Sequence, residues 1–315
     1  MNLILLRLCG LVLVLLGVSL ITFTLIHFSP GDKAAMIAHA RYPDVVSFPP
    51  EILAAIRSEF HLEEPFISQF AYWLGGIMSG EFGVSYASGK RVWDVFVGSL
   101  AETATLALSS LTIGLVAAFL LASLAVHYRG TFIDRLAVII ASIGNAMPNY
   151  WLALLLILGV SVTLGWLPAY GTGTLAHLVL PALTLSFWVM ASQTRLLRSF
   201  MLDAYDQPFI ETLRLRGISE REIFFSHIVP HTRLPALTMI GLDLAALLEG
   251  TIIIELIFAR SGLGSLLAGS VLSRDLPVMM FVIMFFAATY VIINTAIDLY
   301  QTIADPRARE AKTMQ

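Results

Sequence analysis

Cys9 is the only cysteine in this 315-residue chain, so an internal disulfide is impossible and a cysteine-rich metal site is excluded. Charge is scarce as well. Only 13% of the residues are Asp, Glu, Lys or Arg, against roughly 25% in an average soluble domain. With 57% hydrophobic residues and a mean hydropathy of +0.82, the chain is not an ordinary water-soluble globule. The sequence has no Gly-x-x-x-x-Gly-Lys-Ser/Thr loop to cradle nucleotide phosphates, no His-Glu-x-x-His and no Gly-x-Ser-x-Gly elbow. Ser261 sits in the glycine-rich turn Ser261-Gly262-Leu263-Gly264 with no base in sight to activate it. Low-complexity tracts and internal repeats are also missing, and the lack of inverted repeats counts against many secondary transporters. The net charge of −3 argues for no particular partner, nucleic acid included.

What the chain does have is long apolar runs. Crossing a bilayer takes about 20 apolar residues, and about six stretches qualify: Leu8–Phe28, Leu100–Val126, Leu136–Leu164, Thr174–Thr194, Leu234–Phe258 and Val278–Ile303. An all-α integral membrane fold of about six transmembrane helices is expected. The first run exceeds the usual ~7–15 residue signal core, and no Ala-x-Ala site follows before Ser29-Pro30-Gly31-Asp32, so it reads as a retained helix. The division expected is an N-terminal transmembrane helix over 1–28, an extracytoplasmic segment over 29–99 and a core over 100–315. Within 29–99, Pro50 heads a short amphipathic pattern through Ile52, Ala55, Ile56 and Phe60. Pro65 introduces another that carries Phe66, Phe70, Tyr72 and Trp73, aromatics suited to the headgroup zone.

Basic residues set the orientation. Arg7, Arg129, Arg135, Arg195, Arg198, Arg214, Arg216, Arg221 and Arg233 share one side with Arg307, Arg309 and Lys312, whereas the loop Gly165–Gly173 on the other side carries no charge. The positive-inside rule then places both termini and the Asp206–Pro235 loop in the cytoplasm.

That loop, DQPFIETLRLRGISEREIFFSHIVPHTRLP, is the longest charged interruption between two apolar spans. Pro208 suits a first helical position, with Asp206 or Gln207 as cap. Gly217 stands where a left-handed C-terminal residue is wanted. Ser219 and Glu222 form a Ser-x-x-Glu capping box that restarts a helix through Ile223, Phe224 and Phe225. A helix, a glycine turn and a second helix on a membrane surface suit a subunit that a separate soluble motor must grip. His227-x-x-x-His231 has a spacing that puts two imidazoles on one helix face, but Pro230 lies between them and no Glu follows His227. A packed turn and a metal site are the two readings.

Inside the spans, Asn145-Ala146-Met147-Pro148-Asn149 interrupts the third and Pro181 sits in the fourth. Each is either a packing kink or a break that lines a pathway. Asp243, Glu249 and Glu255 lie in the fifth span, where a carboxylate costs about 2.5–3.5 kcal/mol at mid-bilayer and so faces a partner or a wet cavity. At 100° per residue the three cannot share one narrow stripe, and at least one is expected to be structural.

These segments resemble a known family, the membrane permease subunits of bacterial ABC importers for dipeptides, oligopeptides and nickel. Its hallmark is a cytoplasmic Glu-Ala-Ala-x-x-x-Gly loop with an Ile-x-Leu-Pro-like end. Here it reads Glu211-Thr212-Leu213-Arg214-Leu215-Arg216-Gly217, ending His227-Ile228-Val229-Pro230; glutamate, glycine and proline match, while both alanines and the isoleucine are replaced. Ser29-Pro30-Gly31-Asp32, Phe82-Gly83-Val84-Ser85, Met147–Ala153, Thr194–Leu202, Glu255-Leu256-Ile257-Phe258, Gly262-Leu263-Gly264 and Asp305-Pro306-Arg307 resemble the same branch. Arg195–Asp203 and Trp166-Leu167-Pro168 look closest to the nickel-type members.

The resemblance implies a type I ABC importer transmembrane-domain fold in the bacterial inner membrane and no chemistry of its own. It also implies a second homologous permease, two ATPase subunits that hold the ATP and Mg, and an extracytoplasmic substrate-binding protein. Glu211, Arg214, Arg216, Gly217, Ser219, Glu222 and Pro230, in a coupling loop over 205–233, are the residues expected to engage the ATPase. Asn145, Asn149, Asp243, Glu249 and Glu255 are candidates for the substrate path. Glu249 stands where the family usually has glycine, and is either a path residue for a cationic cargo or an ion-pair partner of the second permease. The expected cargo is nickel or a metal chelate, alternatively short peptides. The rival readings are a stand-alone ion-coupled transporter or channel, with the three acids as relay, and an intramembrane enzyme.

Overall fold

The computed structural model describes residues 2–28, 31–42 and 44–304. Ser29-Pro30, Asp305-Pro306-Arg307, Arg309 and Lys312 lie outside the described residues, as does the side chain of Arg7. The chain folds as α1 (Asn2–His27), α2 (Lys33–Arg41), α3 (Pro50–Glu59), α4 (Phe66–Ser79), α5 (Val92–His127), α6 (Phe132–Ala146) and α7 (Asn149–Leu156). It continues as α8 (Leu175–Tyr205), α9 (Pro208–Leu215), α10 (Glu220–Ile223), α11 (Val229–Ile257), α12 (Leu263–Leu272) and α13 (Leu276–Ala304). Two π-helical stretches, Ile157–Thr163 and Phe224–Ile228, extend α7 and link α10 to α11. No β-strand occurs among the described residues.

Among the described residues, four helices are long and apolar enough to cross a bilayer: Val92–His127, Leu175–Tyr205, the run Glu220–Ile257 and Leu276–Tyr300. The apolar part of α1 that can be described is Cys9–Leu25. The third expected span is broken. Phe132–Ala146 and Asn149–Thr163 meet at 102°, because Pro148 cannot donate to the helix ladder and pushes Met147 into extended backbone, with ψ 122°. Pro181, by contrast, lies inside α8, which runs on through it.

The chain divides into two compact units, Met1–Thr103 with Ser261–Ile292, and Ala104–Arg260 with Ile293–Gln315. In the first unit Val92, Phe96, Leu263, Val278 and Val282 form one core, and Ala34, Ile37, Ala38 and Ile56 a second. Asp32 starts α2 by accepting the Ala34 N–H at 3.0 Å, and Pro50 stands in the first turn of α3. The glycine-rich turn at Ser261–Gly264 leads into α12, which the sequence reading did not distinguish. The Phe82–Ser85 motif is held by Asp275, between α12 and α13. Ser85 Oγ donates to Asp275 Oδ2 at 2.5 Å, and the Tyr86 and Ala87 N–H groups donate to the same carboxylate at 3.0 and 3.3 Å.

The second unit is built around α8. Close approach to it depends on residues without side chains. A Cβ on Gly114 of α5 would lie 2.6 Å from Val189 Cβ, and one on Gly144 of α6 would lie 2.5 Å from Ala191 Cβ. Small residues at helix crossings let backbones pack closely where lipid gives no hydrophobic drive. Leu106, Ala153, Leu180, Leu185, Val189, Leu247, Ile254 and Phe258 make one core of this unit. A further core lies beneath α9 and is described with it.

Candidate coupling site

The segment after α8 folds as its capping residues dictate. Gln207 stands at the N-cap and Pro208 opens α9. At the other end Gly217 is left-handed, with φ +78°. Its N–H bonds to the Arg214 carbonyl at 2.9 Å, and the Ile218 N–H reaches back to the Leu213 carbonyl at 3.2 Å. This is the Schellman pattern, which satisfies carbonyls that would otherwise be orphaned and turns the chain sharply. Ser219 then caps α10, its hydroxyl accepting the Glu222 N–H at 3.3 Å. Pro230 follows the π-helical stretch inside the continuous run Glu220–Ile257, so that stretch accommodates the N–H that proline lacks.

The inner face of this elbow is anchored. Ile210, Ile223 and Ile228 are fully buried with Ala118, Ala122 and Val126 of α5, Leu197, Met201 and Ala204 of α8 and Ala236 of α11. Leu213 and Ile218, the pair that accompanies the Schellman turn, pack on the same cluster. Burying one isoleucine is worth roughly 1.5–3 kcal/mol, so three of them hold the elbow to three long helices.

Ion pairs tie its edges. Arg214 donates through Nε and Nη2 to Glu220 at 2.6 and 3.3 Å, and its guanidinium lies 5.9 Å from the Tyr205 ring centre. Hydrogen bonding to Glu220 raises the Arg214 pKa. Arg129, after α5, reaches Asp206 at 3.1 Å. Arg198 of α8 grips the buried Asp134 of α6 with two bonds of 2.6 and 2.8 Å, and Asp134 also accepts the Gly130 N–H at 3.0 Å. Sequence reasoning did not pair these groups, because 77 and 64 residues separate the members of the last two pairs.

The outer face is bare. Glu211, Thr212, Arg216, Gly217 and Glu222 are exposed, and Leu215 shows 84% of its surface. Leu215 was not singled out from the sequence, although a lone leucine between Arg214 and Arg216 was the available signal. His227 and His231 both face the Phe209 ring, at 6.5 and 6.3 Å between centroids. No group of three or more His, Cys, Asp or Glu able to hold a metal occurs among the described residues.

The interior candidates separate. Asp243 is buried and accepts from Gln193 Nε2 of α8 at 2.6 Å. Glu255 is fully buried, whereas Glu249 is exposed. The Asn145 amide donates to the Ala141 carbonyl at 3.2 Å. Asn149 opens α7 beyond the 102° break, and its Nδ2 lies 3.9 Å from where a Cβ on Gly250 would stand. The structure therefore brings Asn149 and Gly250 together and parts Glu249 from the two buried acids.

Known proteins match this sequence along nearly the whole chain. The family model for the binding-protein-dependent transport system inner membrane component matches residues 110–310, and that for the N-terminal part of such components matches residues 1–107. A putative peptide transport system permease protein of Brucella abortus is 35% identical, the match covering 98% of each chain. The glutathione transport system permease protein GsiC of Escherichia coli is 32% identical over 98% of this chain and 99% of its own. Among solved structures, a chain of an amino acid ABC transporter crystallised with histidines superposes with a TM-score of 0.51 at 18% identity, covering 68% of this chain and 94% of its own. That likeness gives the fold, the type I ABC transmembrane domain. ATP hydrolysis belongs to separate subunits. The chain belongs to the family of binding-protein-dependent transport system inner membrane components, as a permease subunit of an ABC importer.

Proposed function

We propose that this permease imports short peptides or peptide-like molecules, and that α9 is where ATPase subunits drive it. The observation that carries the mechanical half is the outward-facing Glu211 and Leu215 on an elbow whose inner face is buried in α5, α8 and α11. A stiff lever passes motion on; a loose loop would absorb it. ATPase closure then moves α8 and α11 together, the kind of rigid-body switch that alternates access. The coupling set is Glu211, Arg214, Arg216, Gly217, Ser219, Glu222 and Pro230, joined by Leu215.

For the cargo, relatives that match over 98% of the chain are named as peptide and glutathione permeases, which supports the peptide reading over nickel. The proposed assembly holds a second homologous permease, two ATPase subunits and an extracytoplasmic binding protein. Arg129, Arg135, Arg195, Arg214, Arg216 and Arg221 support a cytoplasmic position for the α9 end and, with it, for both termini. Asn149 and Glu249 are the stronger path candidates, because Asp243 is already engaged by Gln193, the Asn145 amide by the Ala141 carbonyl, and Glu255 is fully buried. Asn149 beside Gly250, at the broken span, is the most favourable place for a polar cargo to meet backbone groups freed by Pro148.

The test is uptake by a deletion strain complemented with this chain, using radiolabelled glutathione, a dipeptide and nickel. Uptake of a peptide that depends on the chain is expected. Nickel uptake alone would overturn the cargo assignment.

A further inference from the structure

Gln193 of α8 and Asp243 of α11 meet inside the second unit, where Gln193 Nε2 donates to Asp243 Oδ2 at 2.6 Å. Both side chains are buried. The other end of the amide, Gln193 Oε1, is buried with no hydrogen-bond partner. Asp243 takes part in no ion pair among the described residues. A buried carboxylate without a cation is costly, and two apolar side chains would fill the same space at less cost. What this pair supplies and an apolar pair cannot is a fixed height of one helix on the other.

The pair stands between the two places that matter for transport. At 1.5 Å per residue, Gln193 is about 18 Å from the end of α8 at Tyr205, and Asp243 about 21 Å from the start of α11 at Val229. The elbow of α9 and α10 joins those two ends. Further along, about 10–12 Å beyond the pair on each helix, Leu185 Cδ2 lies 3.3 Å from where a Cβ on Gly250 would stand, and Asn149 Nδ2 lies 3.9 Å from that point. The two helices thus run antiparallel and touch at both heights. Leu185, Val189, Leu247 and Ile254 belong to the apolar core beside them. Apolar helix faces can shear by small slides. A hydrogen bond to a carboxylate is short-ranged and directional, and a slide that broke it would leave Asp243 buried without its donor.

We propose that Gln193 and Asp243 are positioning residues of the importer, whose bond stops α8 from sliding along α11 so that displacement of the elbow reaches Asn149 and Gly250. The inference rests on the reading of α9 as the place where ATPase subunits drive the permease. It gives Asp243 a part in transport without contact with the cargo.

The readout is the number of ATP molecules hydrolysed per peptide imported, in proteoliposomes that hold the assembled importer and its binding protein. Gln193→Leu together with Asp243→Leu removes both polar groups at once, which leaves no carboxylate unmet and spares the fold. Peptide-stimulated hydrolysis should persist in that variant while the ratio rises about tenfold, the lower end of what losing a hydrogen bond to a charged group does to an equilibrium. Asp243→Asn still accepts from Gln193 and should keep the parental ratio. A parental ratio in the double variant, or uptake and hydrolysis that fall in proportion as plain destabilisation gives, would overturn the proposal. So would a raised ratio in Asp243→Asn, which would make the charge itself the working feature. Should the double variant fail to accumulate, Gln193→Asn, one methylene short of the carboxylate, should raise the ratio, and an unchanged ratio would overturn the clamp. Gly217→Val in the same preparation reads the elbow separately. Normal transport by Gly217→Val would overturn the α9 reading and the clamp with it, whereas a failed clamp beside an inactive Gly217→Val would leave that reading standing.

Discussion

Arg214 and Glu220 join hands across the left-handed turn at Gly217, with bonds of 2.6 and 3.3 Å. They close the angle between α9 and α10 from the outside, while Ile210 and Ile223 close it from within. Both side chains of the pair are about half exposed, so it contributes only about 0.2–1 kcal/mol to folding. Its value is geometric. Arg214→Glu should leave the amount of protein in the membrane unchanged and cut uptake several-fold. The exchange Arg214→Glu with Glu220→Arg should restore most of it. A swap that recovers nothing would mean that Arg214 touches the partner directly rather than shaping the elbow.

Gly217→Val puts a β-branched residue at φ +78°. The left-handed backbone costs roughly 1–2 kcal/mol for a residue with a Cβ, and relaxing it would release the Leu213 and Arg214 carbonyls from their caps. Uptake should be abolished, with membrane insertion intact by immunoblot of the membrane fraction. Glu211→Lys reverses an exposed charge on the outer face and should give the same phenotype without touching the fold. Normal transport with both changes would remove the coupling assignment.

Asp275 accepts three hydrogen bonds from the Ser85–Ala87 segment while 3% exposed. Asp275→Ala leaves buried donors unmet, and each hydrogen bond to a charged group is worth about 1.5–3 kcal/mol. The purified variant should melt well below the parent in detergent, and Ser85→Ala, which removes one of the three, should fall between them.

Gly144→Leu would drive a side chain into Ala191, already 2.5 Å from an added Cβ. Separation of α6 from α8 would strain the Asp134–Arg198 pair, so reduced accumulation of the protein is expected. An unchanged level would show that the crossing is loose.

The elbow was legible in the sequence because capping is local. Gly217, Pro208 and Ser219 act within a few residues, and each stands where its chemistry predicted. Pro148 likewise announced a break, though not its 102° bend, which depends on what the two halves pack against. What stayed hidden depends on distance along the chain. Nothing near Phe82-Gly83-Val84-Ser85 points to Asp275, 190 residues on from Ser85. Nothing near Asp243 points to Gln193. The three acids of α11 illustrate the limit: period alone says that they cannot share a stripe, but only tertiary packing says that Glu249 faces out while Asp243 and Glu255 face in. The short α12 escaped for another reason, since a ten-residue helix after a glycine turn is too short to read as a span.

Because Cys9 is the only native cysteine and is exposed, a Cys9→Ser background makes one direct measurement possible. Leu215→Cys in that background, in the assembled importer, should cross-link to an ATPase subunit through a short thiol reagent, and the adduct should stop uptake. A Leu215→Cys chain that forms no adduct with any ATPase subunit, or that a membrane-impermeant thiol reagent labels from outside intact cells, would contradict the account.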